Sequence, residues 1–360
     1  MKRMFYKILI IFVFIITFTI LGLITFLFYI QINDYKPVAR DLLPIYGGTV
    51  EKVYPSDTLR LISWNIGYAG LGKSMDFFYD GGKKVITKKA DYEENLEGIK
   101  DFLKATGPVD FYLFQEVDIN ARRSYQDDQM KRLRKVLPNY SDVFAINYKV
   151  KFVPLPLNKP MGHVHSGLCI FSFTDPFESC RISFEGNFSW PHGLFMPDRC
   201  YIVNKYYTSD GHELIIINTH NSAFDNGNLR TAQLEALRTK MVEEYSKGNY
   251  VIAGGDWNMN PPGFDSEVFL NYPGFCVMTI PGTEFMPQGW TIAYDTNCPT
   301  NRKLDQPFKK EVTPGTIIDF FVLSPNIELL NIYTQDLSFH HSDHHPVILD
   351  AALKTTKAMH

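Results

Sequence analysis

Several apolar segments of this chain carry a polar side chain at or near their ends, and this pattern constrains the fold more than any other. Each segment has the length and the β-branched or aromatic composition of a buried strand. We predict strands with terminal polar residues at 59–66 (Asn65), 109–117 (Glu116), 214–221 (His220), 250–258 (Asp256, Asn258) and 316–323 (Asp319). A sixth strand, 347–353, follows Asp343 and His344.

Two segments between these strands have apolar side chains at helical spacing. Residues 91–104 and 229–246 therefore predict amphipathic helices. Strands that alternate with helices indicate an α/β fold, in which sites form where strands end. We predict further strands at 167–172 and 200–206 and interpret them as neighbours in one sheet, and we predict a long irregular segment from 261 to about 315.

The terminal polar residues are expected to converge at one rim of the sheet. In an extended chain residues two apart point to the same side, so Asp256 and Asn258 should face the same space. Carboxylates hold hard divalent cations, while His and Asn side chains donate hydrogen bonds to anionic oxygens. The set thus has the ingredients for metal-assisted cleavage of a phosphoester. Taken singly, each residue is equally typical of a turn or of a strand end.

An uncharged run of 23 residues, 8–30, follows the basic residues Lys2, Arg3 and Lys7. As a helix it would measure about 34 Å, which is enough to cross the hydrocarbon core of a bilayer. The run is longer than the apolar part of a signal peptide, and no small-residue cleavage site follows it. We therefore expect an uncleaved, single-pass anchor, with residues 1–7 in the cytoplasm and the rest of the chain outside.

The remaining chain divides into a tether, a domain and a tail. Residues 31–56 are rich in proline and glycine and predict a tether that leads into an edge segment. Residues 57–353 contain the predicted strands and helices and form the domain, and 354–360 form a short tail. We expect a monomer.

Charge and cysteine spacing exclude some classes of function. The formal charge is -3, and without Lys2, Arg3 and Lys7 it becomes -6 (-3 minus 3), so the body lacks the basic surface typical of binding to long nucleic acid. None of the five cysteines forms a Cys-x-x-Cys pair, which argues against a zinc or thiol redox site. We interpret them as small buried residues, with one disulfide as the alternative if the body lies outside the cell.

Six short motifs stand in a characteristic order along the chain. They are Trp64-Asn65, Gln115-Glu116, Thr219-His220, Gly255-Asp256-Trp257-Asn258, Ile318-Asp319 and Ser342-Asp343-His344-His345-Pro346. In this order they resemble the endonuclease/exonuclease/phosphatase superfamily, which is similar to DNase I, apurinic endonucleases, neutral sphingomyelinases and inositol polyphosphate 5-phosphatases. The resemblance covers about residues 57–353, and Trp257 stands where the family often has Phe. It implies a four-layered α/β sandwich with two central mixed β-sheets.

The resemblance also implies a magnesium site, or a manganese site, and a role for each motif residue. Glu116 would be the principal metal ligand, with Asn65 beside it and Asp343 close to the ion. Asp256 would orient or activate the attacking water. The identity of the general base stays open.

Four further motif residues would act on the phosphate. Asn258 and His220 would bind the scissile phosphate, and His344 would be a second catalytic histidine oriented by Asp319.

Residues outside the motifs carry weaker predictions. Arg199 and Arg302 are candidate substrate contacts, with a surface ion pair and a loop surface as the respective alternatives. The other histidines around 340–345 are expected to be solvated or structural, although a zinc-binding cluster is the alternative. The aromatic loop 184–195 either packs on its own domain or dips into the bilayer interface.

Together these features predict a membrane-anchored, metal-dependent phosphoric ester hydrolase. Its substrate would be a phosphodiester or phosphomonoester, such as a lipid head group or a small phosphate. The alternatives are an extracytoplasmic DNase acting on nucleic acid and a non-catalytic membrane-anchored binding protein with the same fold.

Overall fold

The computed structural model describes residues 2–48, 53, 58–223, 225, 227–265, 268–269, 277–282 and 285–354. The helices are α1 (Lys2–Ile32), α2 (Lys89–Ala105), α3 (Gln129–Arg134) and α4 (Asn228–Ser246). The strands are β1 (Arg40–Leu42), β2 (Thr58–Asn65), β3 (Phe111–Asp118), β4 (Ser141–Val153), β5 (Gly162–Ser172), β6 (Glu178–Ser183), β7 (Cys200–Tyr207), β8 (Glu213–His220), β9 (Tyr250–Asp256), β10 (Thr291–Ala293), β11 (Asn301–Arg302), β12 (Gly315–Thr316), β13 (Asp319–Leu323), β14 (Ile327–Thr334) and β15 (Val347–Leu353).

The strands form two large mixed sheets and one small hairpin-like pair. Sheet I has seven strands in the order β1-β6-β7-β8-β9-β13-β10, and sheet II has six in the order β14-β15-β2-β3-β5-β4. In sheet I only β8 and β9 run parallel, and in sheet II only β2 and β3 do. Strands β11 and β12 pair separately.

The two sheets pack face to face, and helices cover their outer faces. The central core joins sheet II side chains such as Leu61 and Phe111 to sheet I side chains such as Ile216 and Ile252. Helix α2 packs on the outer face of sheet II, and α4 packs on that of sheet I through Leu237. Burying each large apolar side chain contributes about 1.5–3 kcal/mol. The four-layered α/β sandwich with two central mixed β-sheets is thus confirmed.

The predicted pairing of segments 167–172 and 200–206 is wrong. The first belongs to β5 in sheet II, whereas the second is β7 in sheet I, where its partners are β6 and β8. Both runs are apolar on both faces, so their periodicity carries no information about which sheet each one joins. Strands β4, β6 and β14 are additions that the sequence analysis did not predict.

Residues that follow α1 take part in the body of the molecule. Strand β1 pairs with β6 at the edge of sheet I, and Val53 is buried in the central core. The predicted tether therefore contributes an edge strand, and the folded body begins well before residue 57.

Helix α1 contains the whole predicted span 8–30 within its 31 residues. It is long and apolar enough to cross a membrane or to act as a signal sequence. The four cysteines in the described residues are free thiols, and Cys169, Cys180 and Cys200 are buried. Cys276 lies outside the described residues.

A β-bulge in β3 opens the hydrogen-bond ladder of sheet II beneath the rim. The pairing of β3 with β5 shifts between Phe114 and Val117, and Glu116 has a left-handed backbone with φ of 54°. Bulges of this kind re-aim a side chain next to a site. The bulge therefore explains how Glu116 leaves the regular alternation of its strand.

The side chain of Asn218, on β8 of sheet I, bridges the two sheets at this bulge. Its Nδ2 donates to the carbonyl oxygens of Phe114 (3.0 Å) and Cys169 (2.9 Å), which belong to sheet II. Its Oδ1 accepts a hydrogen bond from Gln115 Nε2 at 2.7 Å. Every polar atom of this fully buried amide is used, so Asn218 fixes the position of one sheet over the other.

We predict that Asn218→Leu lowers the free energy of unfolding by about 3 kcal/mol, because two carbonyls and one amide lose a partner where water is excluded. For a body of this size the loss corresponds to a fall in melting temperature of roughly 5 °C or more. Thermal unfolding followed by fluorescence measures it, with the exposed Asn331→Leu as the matched control. A melting temperature equal to that of the control would contradict the bridging role.

Candidate active site

A cleft of 540 Å³ opens at the rim where the strands of both sheets end. Most of the residues that the sequence analysis selected border it, and Asn65 and Asp319 lie buried at its base. The selected residues on its surface are Glu116, Arg199, His220, Asp256, Asn258, Arg302, Asp343 and His344.

The ladder of sheet I aligns three of these side chains. Asp256 ends β9, with His220 beside it on the parallel strand β8 and Asp319 opposite it on the antiparallel strand β13. Three adjacent strands thus deliver an acid, a histidine and a second acid to the same level of the sheet. Hydrogen bonds of the main chain fix their spacing.

Asn65, at the end of β2, connects sheet II to this group. Its Nδ2 lies 3.0 Å from Asp256 Oδ2, 3.4 Å from His344 Nε2 and 3.5 Å from Glu116 Oε1. Its Oδ1 accepts a hydrogen bond from the backbone N–H of Gly67 at 3.0 Å. The amide therefore lies at the centre of the polar cluster, in contact with groups from both sheets.

Asp319 and His344 form a buried hydrogen-bonded pair. Asp319 Oδ2 lies 2.8 Å from His344 Nδ1, and Trp64 Nε1 donates to the His344 carbonyl at 2.9 Å. Burial lowers the pKa of His344, but the negative charges of Asp319, Asp343 and Asp256 outweigh burial and raise the pKa to about 10. The imidazole is therefore protonated at neutral pH and directs its Nε2 toward the cleft.

Asp256 is nearly inaccessible to solvent and surrounded by donors. Burial and then the charge of Asp319 raise its pKa to about 7. Its Oδ2 lies 3.4 Å from His220 Nε2 and 3.8 Å from His344 Nε2, and its Oδ1 accepts from the backbone N–H of Asn258 at 2.9 Å. A carboxylate with a pKa near neutrality can accept a proton from water.

His220 differs from His344 in its charge. Burial, followed by the positive charges of Arg199 and His344, lowers the pKa of His220 well below its ordinary value. Its Nδ1 is buried without a hydrogen-bond partner among the described residues. The two histidines are therefore a neutral and a protonated imidazole in one site.

Asp256 and Asn258 face the same cleft, but not by the predicted geometry. Strand β9 ends at Asp256, and Asn258 has a left-handed backbone with φ of 51°. The Asn258 amide donates to the carbonyl of Asn221 at 2.9 Å, which uses one of its two N–H groups. A tight turn, and not an extended chain, brings the two side chains together.

The carboxylates of Glu116 and Asp343 form an oxygen-rich part of the cleft. Burial and the nearby Glu116 charge raise the pKa of Asp343 to about 6, even though His344 opposes the shift. A Cβ on Gly67 would lie 2.9 Å from Asp343 Oδ1, so the glycine leaves space beside this carboxylate. Two acids that repel each other next to an amide suit a hard divalent cation such as Mg²⁺ or Mn²⁺.

A second group of three residues also places its candidate metal-ligand atoms close together. Asp256, Asp319 and His344 place these atoms within 4.8 Å of one another. In that set His344 Nδ1 is already in a hydrogen bond with Asp319. The bond explains their proximity without an ion, so we favour the side of the cleft with Glu116 and Asp343 for the metal.

The two predicted arginines differ in their surroundings. No hydrogen bond or ion pair engages the Arg199 guanidinium within the described part of the chain, and the side chain borders the cleft, so the surface ion pair considered above is not observed. Arg302 also borders the cleft, but it is 1% exposed and donates to the carbonyls of Leu71, Gly72 and Met75. These contacts give Arg302 a structural role beside the cleft, and a contact between Arg302 and substrate stays a prediction.

Asn301 and Arg123 also contact the polar residues of the cleft. Asn301 Nδ2 lies 2.9 Å from His344 Nε2, and Arg123 lies between Asp118 (3.0 Å) and Glu116 (3.9 Å), with its guanidinium 3.7 Å above the Tyr68 ring. Asn301 is next to the predicted Arg302, so that segment was correctly located. Nothing in the local sequence of Arg123 indicates these contacts.

His345 has a structural role beside the site. Its ring stacks on Phe339 with centroids 3.8 Å apart, its Nδ1 donates to the Pro299 carbonyl, and its Nε2 accepts from the Phe339 N–H. Both ring nitrogens are therefore in use. This arrangement agrees with a structural role and not with a zinc ligand.

Comparison with solved structures shows the same fold in several proteins. An endonuclease/exonuclease/phosphatase from Beutenbergia cavernae is 16% identical with a TM-score of 0.52, and covers 82% of this chain and 72% of its own. D. rerio TDP2, complexed with a single-strand DNA product, is 17% identical with a TM-score of 0.52 and coverage of 82% and 99%. The human Nocturnin catalytic domain with bound sulfate is 16% identical with a TM-score of 0.52 and coverage of 87% and 97%.

Comparison with curated protein sequences gives no significant match. The sequence model of one family, described as the Endonuclease/Exonuclease/phosphatase family, matches residues 62–344. The match spans most of the chain and contains the polar cluster of the cleft. The chain therefore belongs to the Endonuclease/Exonuclease/phosphatase family.

Proposed function

We propose that this protein is a hydrolase that cleaves a phosphoester bond by attack of water, with Mg²⁺ or Mn²⁺ as its cofactor. The main support is the convergence of a protonated His344–Asp319 pair and the buried Asp256 carboxylate beside the acidic pair Glu116 and Asp343. Members of the family are typically hydrolases of phosphoester bonds. A binding protein without catalysis would have no need for two histidines held in opposite charge states.

Asp256 is the group best placed to take a proton from the attacking water. Asn65 and the Asn258 N–H hold its two oxygens, so its direction is fixed before substrate binds. Its raised pKa makes it a stronger base than an ordinary aspartate.

His344 and His220 would act on the oxygens of the phosphate. His344 is protonated and oriented by Asp319, so its Nε2 can donate to a developing negative charge. His220 is neutral and can donate one hydrogen bond without adding charge. Asn258 offers its second N–H to the phosphate. The Asn301 amide lies 2.9 Å from His344 Nε2 and would present its oxygen to the protonated ring.

Glu116 and Asp343 would hold the cation, with Asn65 next to them. When bound, the cation would supply positive charge that stabilises the phosphate oxygens in the transition state. Arg123 is held by hydrogen bonds to Asp118, and its positive charge lies 3.9 Å from the Glu116 carboxylate.

We propose that α1 anchors the enzyme in a bilayer, with the N-terminus in the cytoplasm and the body outside. The apolar side chains of residues 8–24 are exposed, and the three basic residues Lys2, Arg3 and Lys7 precede them.

A nuclease is the second candidate function. D. rerio TDP2 shares the fold and was solved with a single-strand DNA product, and Arg123, Arg199 and Arg230 border the present cleft. The acidic body opposes binding of long nucleic acid. A soluble body that begins at Asn33 can be screened with DNA, sphingomyelin, phosphoinositides and a chromogenic diester. The substrates that it cleaves separate a nuclease from a hydrolase of lipids or small phosphates.

We predict that Asp256→Asn and His344→Ala each lower kcat on the chromogenic diester by at least about 100-fold, because each removes a proton-transfer or charge-stabilising group. Steady-state kinetics measure the loss, and His212→Ala serves as the histidine control outside the cleft. The melting temperature of Asp256→Asn should stay close to that of the native protein, whereas His344→Ala should lower it because Asp319 is left unpaired, so circular dichroism checks that this variant is folded. Turnover within a few-fold of the native enzyme in either variant would exclude the proposed mechanism.

We expect removal of divalent metal with EDTA to abolish hydrolysis and added Mg²⁺ or Mn²⁺ to restore it. Glu116→Gln and Asp343→Asn should each raise the metal concentration for half-maximal activity by about tenfold or more, because each removes a charged ligand. The matched control is Glu235→Gln on the exposed face of α4. Full activity in EDTA would contradict a metal cofactor.

Arg199→Ala should raise KM for the diester by about tenfold, because the variant lacks a charged donor to the phosphate. Arg199→Lys should recover part of the affinity, since it keeps the charge but not the planar geometry. Arg238→Ala on exposed α4 is the control. If both Arg199 variants have native KM, the arginine does not contact substrate.

A further inference from the structure

The C-terminal turns of α1 contact two loops of the body. The ring of Phe26 stacks on that of Phe195, with centroids 6.1 Å apart, and meets Phe152 edge to face at 6.2 Å. Trp190 Nε1 donates to Gln31 Oε1 at 3.1 Å. Ile30 is 2% exposed, in contrast to the exposed side chains earlier in the helix. The body is therefore held against the last two turns of the helix.

The length of α1 sets the depth of these contacts in a bilayer. A hydrocarbon core of about 30 Å takes about 20 residues of helix, so a span that starts at Ile8 reaches the far boundary near Phe28. Phe26 thus lies at the boundary between hydrocarbon and head groups. The loops that touch Phe26 lie at the same level.

Two segments, 149–159 (the end of β4 and the loop after it) and 188–195, expose apolar side chains, and we name them the docking loops. Leu157 is 84% exposed, Trp190 67% and Leu155 46%. Large apolar side chains at such exposure are characteristic of interaction surfaces, and tryptophan is enriched at membrane interfaces. The first loop also exposes Lys149, Lys151 and Lys159, which suit the phosphates of anionic lipids.

The docking loops also form one wall of the catalytic cleft. Phe188 lines the cleft, and Tyr148, Met161, Met196 and Arg199 line it immediately beyond the loop ends. Tyr148 Oη donates to the Phe195 carbonyl at 2.7 Å, which joins the two loops. The segments that contact α1 therefore also border the cleft.

We infer that the docking loops rest on the bilayer that contains α1 and that the cleft takes phospholipid head groups from that bilayer. This inference rests on the proposed hydrolase function and names its substrate class. The apolar wall accommodates the glycerol and the first acyl carbons, while Arg199 and the metal side receive the phosphate. Because this wall lies against the membrane helix, it brings the cleft within reach of lipid head groups.

The test uses the full chain reconstituted into phosphatidylcholine vesicles that carry phosphatidylglycerol, phosphatidylethanolamine, sphingomyelin or a phosphoinositide. Phosphate or head-group release is measured with Mg²⁺, next to hydrolysis of a soluble chromogenic diester by the same vesicles. Leu157→Glu should lower lipid turnover by about tenfold and leave diester turnover within about twofold. The control is Leu330→Glu, which is also exposed (47%, against 84% for Leu157) but lies on β14 at the opposite edge of sheet II from β4.

A second measurement does not depend on activity. Brominated lipids should quench the fluorescence of Trp190, and Trp190→Phe should remove most of the quenching. Trp64 and Trp257 are fully buried, and the half-buried Trp290 packs against Tyr245 of α4 on the outer face of sheet I. Equal quenching in the native protein and in Trp190→Phe overturns the docking surface.

The remaining outcomes separate the two proposals. Hydrolysis of the soluble diester without hydrolysis of any lipid overturns the substrate class and leaves the hydrolase proposal standing. Loss of lipid and diester turnover to the same extent in Leu157→Glu also overturns the inference. Absence of hydrolysis of every substrate by the native protein removes both proposals.

Discussion

The buried amide of Asn218 is the central polar link that holds the two sheets in the relative position on which the cleft depends, and Asn65 and Arg181 add further links between them. Asn218 spans the gap to the carbonyls of Phe114 and Cys169 and accepts from Gln115, the residue before Glu116. Two residues further along β8 is His220. Glu116 and His220 therefore each lie within two residues of this hydrogen-bonded contact between the sheets. Apolar packing alone would allow the sheets to slide, because dispersion contacts have little directional preference. The three hydrogen bonds of Asn218 are directional and oppose such sliding.

The cleft concentrates negative charge where solvent cannot screen it. Asp256, Asp319 and Asp343 are buried close together, and their mutual repulsion is offset in part by the protonated ring of His344. The positive charge of Arg123 likewise offsets the negative charges of Asp118 and the more exposed Glu116. Such a cluster lowers the stability of the free protein, since buried charges are costly unless paired. This lower stability of the free protein is consistent with a site that becomes complete only when a cation and a substrate bind.

The sequence allowed the fold class, the order of the main elements and most of the cleft to be predicted, because these depend on local apolar runs and on short motifs. Strands β2, β9 and β15 began and ended close to their predicted limits. Sheet membership was not accessible in the same way, and β5 and β7 were wrongly paired because the choice of partner is a long-range property. The role of Arg302 depends on carbonyls about 230 residues away in sequence, and that of Arg123 on the ring of Tyr68. No periodicity in the sequence encodes such contacts. The aromatic loop that contains Trp190 could be recognised in the sequence, but its position next to α1 could not.

The alignment of His220, Asp256 and Asp319 across three paired strands has an evolutionary consequence. Their separations are set by peptide geometry, which mutation of side chains elsewhere hardly alters. The aromatic segment 188–195, which borders the entrance, lies outside that ladder, so its side chains can change without altering these separations. The geometry of the polar group and the shape of the entrance are therefore set by different parts of the chain, and one can vary in evolution while the other is kept.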